Sequence, residues 1–201
     1  MTLEINMFTI ATAILISLLG GGGLWLAHQH GIFHTITFNL VNVSKGKKFL
    51  VKGHRGEYRD AKQYFNELPE STKQMVGIFW DDPRIMGKRC RYSVGIVCAE
   101  EQEEESASEV ELRKKDDGEW KDCEIDSNLE ALYCSFPYTG SISTIIASIR
   151  VYPLWVEEAK KRGKGHGPII RITTKEKGLI EFYFLTAPPP SSFAKAMERI
   201  K

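Results

Sequence analysis

Residues 169–185 read IIRITTKEKGLIEFYFL. Two apolar, β-branched and aromatic runs, Ile169–Thr174 and Leu179–Leu185, flank Glu176-Lys177-Gly178, and that order predicts a β-hairpin. Immediately upstream, Gly140 to Arg150 predicts a helix. Pro153 to Arg162 predicts a second helical segment after a break, because proline suits a first turn better than an interior. Gly163 is a plausible C-cap for it. Further upstream, Leu129 to Phe136 reads as a strand. The second half of the chain is therefore expected to be β-α-β-β.

The first half repeats this plan. Thr35 to Val43 and Lys48 to Lys52 are strand candidates. Tyr58, Ala61, Phe65 and Leu68 lie at i, i+3, i+7 spacing, which predicts a helix over 58–68 that stops before Pro69. Met75 to Trp80 is strand-like and ends at Asp81-Asp82-Pro83, a turn signal. Arg91 to Ala99 is the next strand. Two β-α-β-β halves predict an α+β domain. Their sheets would join into one curved antiparallel sheet with both helices on one face. The other face would form a concave cleft at the join, a common place for a ligand.

Composition sets the outer bounds. The chain has 201 residues, 42% hydrophobic and 26% charged, values ordinary for a globular domain. With a formal net charge of +1 and no long basic stripe, no nucleic-acid partner is expected. Cys90, Cys98, Cys123 and Cys134 form no CxxC pair and have no histidine at metal-ligand spacing, so they read as thiols and no metal is expected. Between Glu100 and Glu111 lie seven glutamates. They read as a solvated loop, with an interaction loop as the alternative.

Met7 to Ala27 reads MFTIATAILISLLGGGGLWLA, 21 residues without Asp, Glu, Lys or Arg. As a helix it would be about 31 Å long, against a hydrocarbon core of roughly 30 Å, so a single transmembrane helix is expected over 7–27. Trp25 suits the interface. A cleaved signal peptide fits less well, since no basic residue precedes the apolar run and Leu24 spoils the small-residue site. Lys45, Lys47, Lys48, Lys52 and Arg55 follow the span and none precede it, which places the domain in the cytosol. The expected organisation is a membrane anchor and flank (1–34), one domain (35–187) and a short C-terminal tail (188–201).

Several short pieces carry a family resemblance. Lys52-Gly53-His54-Arg55-Gly56-Glu57-Tyr58 resembles the turn that opens the first helix of GyrI-like domains. Cys90-Arg91-Tyr92-Ser93-Val94-Gly95 resembles one of their strands, and Ile180-Glu181-Phe182-Tyr183 their last strand with its central glutamate. Phe79-Trp80-Asp81-Asp82-Pro83, Lys88-Arg89-Cys90-Arg91, Phe136-Pro137-Tyr138-Thr139 and Arg150-Val151-Tyr152-Pro153 resemble the testis-expressed protein 264 family, whose GyrI-like domain is membrane-anchored. The resemblance implies a domain that binds amphipathic, often cationic or aromatic, small molecules, without a cofactor. It also implies an endoplasmic-reticulum membrane location and a role as a selective-autophagy receptor that engages a ubiquitin-like autophagy modifier. The alternative it implies is hydrolysis of strained cyclopropanoid compounds.

Glu181 is the first candidate for chemistry. It lies between Ile180 and Phe182, and a carboxylate in a dry cleft activates water or pairs with a cation. Strand alternation could instead send it to solvent. Tyr183 falls on the same face and would orient the water. Trp80, Tyr92, Phe136 and Tyr138 are candidates to line the ligand site, with core packing as the alternative for each. Asp81 and Asp82 read as turn chemistry rather than a metal site. Gly163-Lys164-Gly165-His166-Gly167 lacks phosphate-loop spacing and reads as a turn. Phe65-Asn66-Glu67-Leu68 and Phe182-Tyr183-Phe184-Leu185 match the letters of an autophagy-modifier motif, but such a motif must lie extended at a free edge.

Overall fold

The computed structural model describes residues 21–44, 46–98, 106–114, 119–125, 128–165 and 167–187. Residues 7–20 of the expected membrane stretch, 99–105 of the acidic run and the 188–201 tail lie outside the described residues.

The strands are β1 (Asn39–Val43), β2 (Lys48–Gly56), β3 (Gln74–Phe79), β4 (Cys90–Val97), β5 (Trp120–Glu124), β6 (Leu129–Pro137), β7 (Ile169–Thr174) and β8 (Leu179–Leu185). The helices are α1 (Ala61–Asn66, after a 3-10 turn at Tyr58–Asp60), α2 (Pro83–Met86), α3 (Ala107–Lys114) and α4 (Ser141–Lys161). All eight strands form one sheet in the order β1-β6-β8-β7-β3-β4-β2-β5. Antiparallel pairing of β3 with β7, Gly77 opposite Arg171, joins the two β-α-β-β halves across a pseudo-two-fold axis. The α+β architecture expected from the sequence is thus present.

Chain connectivity requires the sheet to curl. β1 and β2 lie six strand spacings apart in the sheet order, which on a flat sheet is about 29 Å. Yet only five Cα steps separate Val43 from Lys48, a reach of at most roughly 18 Å. The sheet must bend until its ends approach, and the connection is held there by Gly46 and Lys47 pairing with the Ile125 backbone. The inner face so formed buries Phe49, Val51, Val76, Ile78, Ile170 and Ile172 without any helix contributing to their cluster. Gly95 serves the same bend. A Cβ there would collide with the Leu50 carbonyl and lie 2.8 Å from Val51 Cα, so only glycine lets β2 and β4 approach this closely.

The outer face carries the helices. α4 turns Ser143, Ala147, Val151, Trp155 and Ala159 inward at i, i+4 spacing. Trp155 stacks on Phe184 at 4.6 Å, and each such buried ring contributes about 2–3 kcal/mol. This stripe explains one departure from expectation. The helix does not break at Pro153 but runs through it. Pro153 is exposed, and the apolar row continues beneath it. β5 was also missed. Its residues, WKDCE, carry no strand pattern, and pairing with β2 alone makes it a strand. All four cysteines are free thiols.

Among the described residues no helix is long and apolar enough to cross a membrane. This corrects the expected transmembrane helix over 7–27, the membrane partner and the endoplasmic-reticulum placement that rested on it. The flank that follows that stretch docks on the domain through His30 and Gly31. Gly31, at φ +77, lies so close to Phe136 and Pro137 that a Cβ would sit 2.7 Å from both. Arg150 Nη1 donates to the Gly31 carbonyl at 2.5 Å, and His30 Nδ1 lies 3.1 Å from Ser143 Oγ.

Candidate functional site

In each half the helix lies over its own strands, α1 over β4 and α4 over β6. The β3–β7 seam lies between those strands in the sheet order, and a cavity of about 1200 Å³ opens above it. Met75, Phe79, Ile169, Arg171 and Thr173 contribute from the strands, Ala61 and Phe65 from α1, and Ile145, Ile149, Tyr152 and Val156 from α4. The site therefore lies on the helix-bearing face. The expected position was the concave face, but curling packs that face with Phe49, Val51, Val76, Ile78, Ile170 and Ile172.

At one end of the cavity, Tyr58 packs edge-on against Phe79, with centroids 4.9 Å apart. Its hydroxyl donates to the Asp81 carbonyl and accepts from the Asp81 backbone N–H at 2.8 Å. Burial raises the Tyr58 phenol pKa and keeps it protonated. The Asp81 carboxylate takes bonds from Arg91 N at 2.7 Å, Nε at 2.9 Å and Nη2 at 2.5 Å. Burial alone would raise the Asp81 pKa, but these bonds outweigh it and hold the carboxyl below its ordinary value. Asp82 caps α2 by accepting from Arg84 N at 2.9 Å, with Pro83 in the first turn. The two carboxylates are thus engaged by two arginines, as turn chemistry predicts.

Arg171 sits at the seam and was not singled out from the sequence. It is 9% exposed and opposite Gly77, where a Cβ would meet the Phe65 and Phe79 rings that flank the guanidinium. Its guanidinium lies 4.5 Å from the Phe65 centroid and 5.3 Å from that of Phe79. Among the described residues no carboxylate pairs with it, and its buried Nε finds no hydrogen-bond partner. Burial lowers its pKa to about 10, while the Tyr152 and Tyr138 phenols act weakly in the other direction. Burial likewise pushes the Tyr152 phenol up to about 12.

The structure separates the sequence-based candidates into four places. Tyr138 lines the cavity, whereas Trp80 borders it but packs its side chain in the inner-face cluster with Val76 and Ile78, where Nε1 donates to Ser93 Oγ at 3.2 Å. Tyr92 is buried in an aromatic cluster with His54, Tyr58, Tyr64 and Phe79. Phe136 is buried against His34 and Arg150. Glu181 and Tyr183 lie half-buried on the inner face, away from the cavity, because Ile180, Phe182 and Phe184 take the helix side of β8. There Tyr133 and Tyr183 donate to Glu181 Oε1 at 3.3 and 3.1 Å.

The two autophagy-modifier letter matches are both unavailable. Phe182-Tyr183-Phe184-Leu185 lies in β8, paired on both sides by β6 and β7. Phe65 and Leu68 line the cavity at and beyond the end of α1. Neither forms the extended free edge that such a motif needs.

Comparison with known proteins adds the following. No family model matches the chain. Over 141 residues it is 26% identical to testis-expressed protein 264 homolog of Mus musculus, a stretch covering 69% of this chain. The chain spans less than half, 44%, of that curated relative. Among solved structures, it is similar to the EcmrR C-terminal domain, with a TM-score of 0.44, 8% identity and coverage of 76% of this chain and 98% of that one. EcmrR in a DNA complex gives a TM-score of 0.43, 9% identity and coverage of 88% and 67%. A hydrolase from Listeria innocua gives 0.42, 13% identity and coverage of 80% and 98%. At these scores the likenesses carry no argument about ligand or reaction. The exclusion of a nucleic-acid partner drawn from net charge does not hold, because a total of +1 averages over the surface and excludes no partner. This chain is similar to testis-expressed protein 264 homolog over most of its length.

Proposed function

We propose that this chain is a binding domain for an amphipathic small molecule with an aromatic or aliphatic body, held between α1 and α4 above the β3–β7 seam. The supporting observation is the cavity itself. It is about 1200 Å³ in volume, walled mostly by apolar side chains, with a few convergent polar groups at the seam. Titrating the full chain with N-phenyl-1-naphthylamine, a neutral probe that brightens in apolar sites, tests it. Saturable binding is expected. Ser148 lines the cavity from α4, and Ser148→Trp should fill the space and weaken binding by about ten-fold, roughly 1.4 kcal/mol. Equal binding by both proteins refutes the reading.

A second reading is hydrolysis at Glu181, favoured by the Tyr133–Glu181–Tyr183 hydrogen bonds. In that reading the carboxylate activates water and Tyr183 orients it. Incubation of the full chain with a cyclopropanoid substrate, followed by mass spectrometry, should show ring opening that Glu181→Gln abolishes. Turnover unaffected by the substitution removes Glu181 from the chemistry.

A further inference from the structure

We infer that the cavity selects an amphipathic anion, with a carboxylate-type head engaged by Arg171 and an apolar body lying between the helices; this rests on the small-molecule-binding reading above. The family resemblance implies ligands that are often cationic or aromatic, so an anion departs from it.

The argument begins with desolvation. Removing an unpaired cation from water is costly, and proteins offset that cost with a nearby carboxylate and hydrogen bonds. Arg171 has neither among the described residues, and its Nε is orphaned. The rings of Phe65 and Phe79 hold the guanidinium in place but accept no hydrogen bond. The guanidinium lines the cavity, so the space in front of its donors is the space a ligand would occupy. A planar fork of N–H donors matches a carboxylate through two parallel bonds.

The surroundings agree. Tyr138 and Tyr152 are near enough to influence Arg171 electrostatically, and both line the cavity. Thr173 lies two residues along the same face of β7. These are neutral hydroxyls, able to donate to an anion. The charges at the rim are mixed, with Lys62 and Lys175 set against Glu70 and Glu157, so the buried cation decides the sign. A cationic head would meet Arg171 in a medium of low dielectric constant, where like charges repel strongly.

The test uses one tail and three heads. Dodecanoate, dodecanol and dodecyltrimethylammonium, each below its micellar concentration, compete with N-phenyl-1-naphthylamine on the full chain and on Arg171→Met. For the natural protein, dodecanoate should displace the probe at a concentration at least about ten-fold lower than either other head, a difference of roughly 1.4 kcal/mol. Arg171→Met should lose the preference, with each head's displacing concentration read against the probe affinity measured on that same variant. If dodecanol or dodecyltrimethylammonium matches dodecanoate on the natural protein, the inference is overturned whatever the variant does. A preference that survives in Arg171→Met also overturns it. Failure of the probe to bind the natural protein defeats the small-molecule reading instead, so the two failures are distinguishable.

Discussion

Replacing Arg171 by methionine should stabilise the unliganded protein. The side chains are similar in length, and methionine adapts to irregular apolar space. The guanidinium pKa falls from 12.5 to about 10, chiefly through burial, and at about 1.4 kcal/mol per unit this is a cost on the order of 3 kcal/mol near neutral pH. Contacts with Phe65 and Phe79 return on the order of 1 kcal/mol. The net gain for Arg171→Met is then about 1–2 kcal/mol, or about 2–8 °C in melting temperature for a chain of this size. The sign follows from linkage. A cation with a depressed folded-state pKa penalises the folded state fully below about 10, and the penalty fades as pH rises from 10 toward 12.5. Urea unfolding at pH 7 reads the difference directly. A variant less stable than the natural protein by more than about 1 kcal/mol would refute the reasoning, because the guanidinium would then be satisfied in the fold.

Three further outcomes follow from other parts of the molecule. Gly95→Ala should cost more than about 3 kcal/mol in urea unfolding, because the atoms a Cβ would meet belong to the β2 backbone and cannot rotate away. Asp81→Asn should cost about 2 kcal/mol at pH 7 by leaving Arg91 without its carboxylate. Because the Asp81 pKa is depressed in the fold, its contribution is present above the ordinary carboxylate pKa and lost on acidification, so the natural protein should lose more stability than Asp81→Asn as pH falls from 5 to 3. His54, stacked 3.5 Å from Tyr64, has its pKa lowered to about 4 by burial first and Lys52 second. Its neutral form suits the fold, so stability should fall as pH drops from 6.5 toward 4, and thermal melts of His54→Gln should show a flatter profile over that range.

The residues show why the sequence was readable in some places and not in others. The hairpin at 169–185 and the strand before it announce themselves by composition, and so does the short helix after residue 57. Pro153 misled because the rule that proline ends helices concerns one lost backbone bond. The buried row Ala147, Val151, Trp155 and Ala159 outweighs that loss only when β6 and β8 are in place to receive it. Arg171 shows the reverse case. An arginine inside IIRITT is as conspicuous as the glutamate inside LIEFYFL, and the logic that picked out Glu181 applies to it equally. Its importance depends on Gly77 and Phe65, which are distant in the chain and adjacent only across the seam.

By itself, the sequence determined the main strands, their repetition as two β-α-β-β halves and the α+β class, because alternation and helical spacing are local properties of neighbouring residues; it did not determine β5, the helix α3 within the acidic run or the unbroken α4. Only the tertiary structure decided which face holds the cavity and which charge lies in it. The short β1–β2 connection makes the sheet curl, the curl fills the inner face, and the open space is left between helices that stand over β4 and β6. Burial of an unpaired arginine depends on what other segments bring beside it, and that information appears only when the chain has closed on itself.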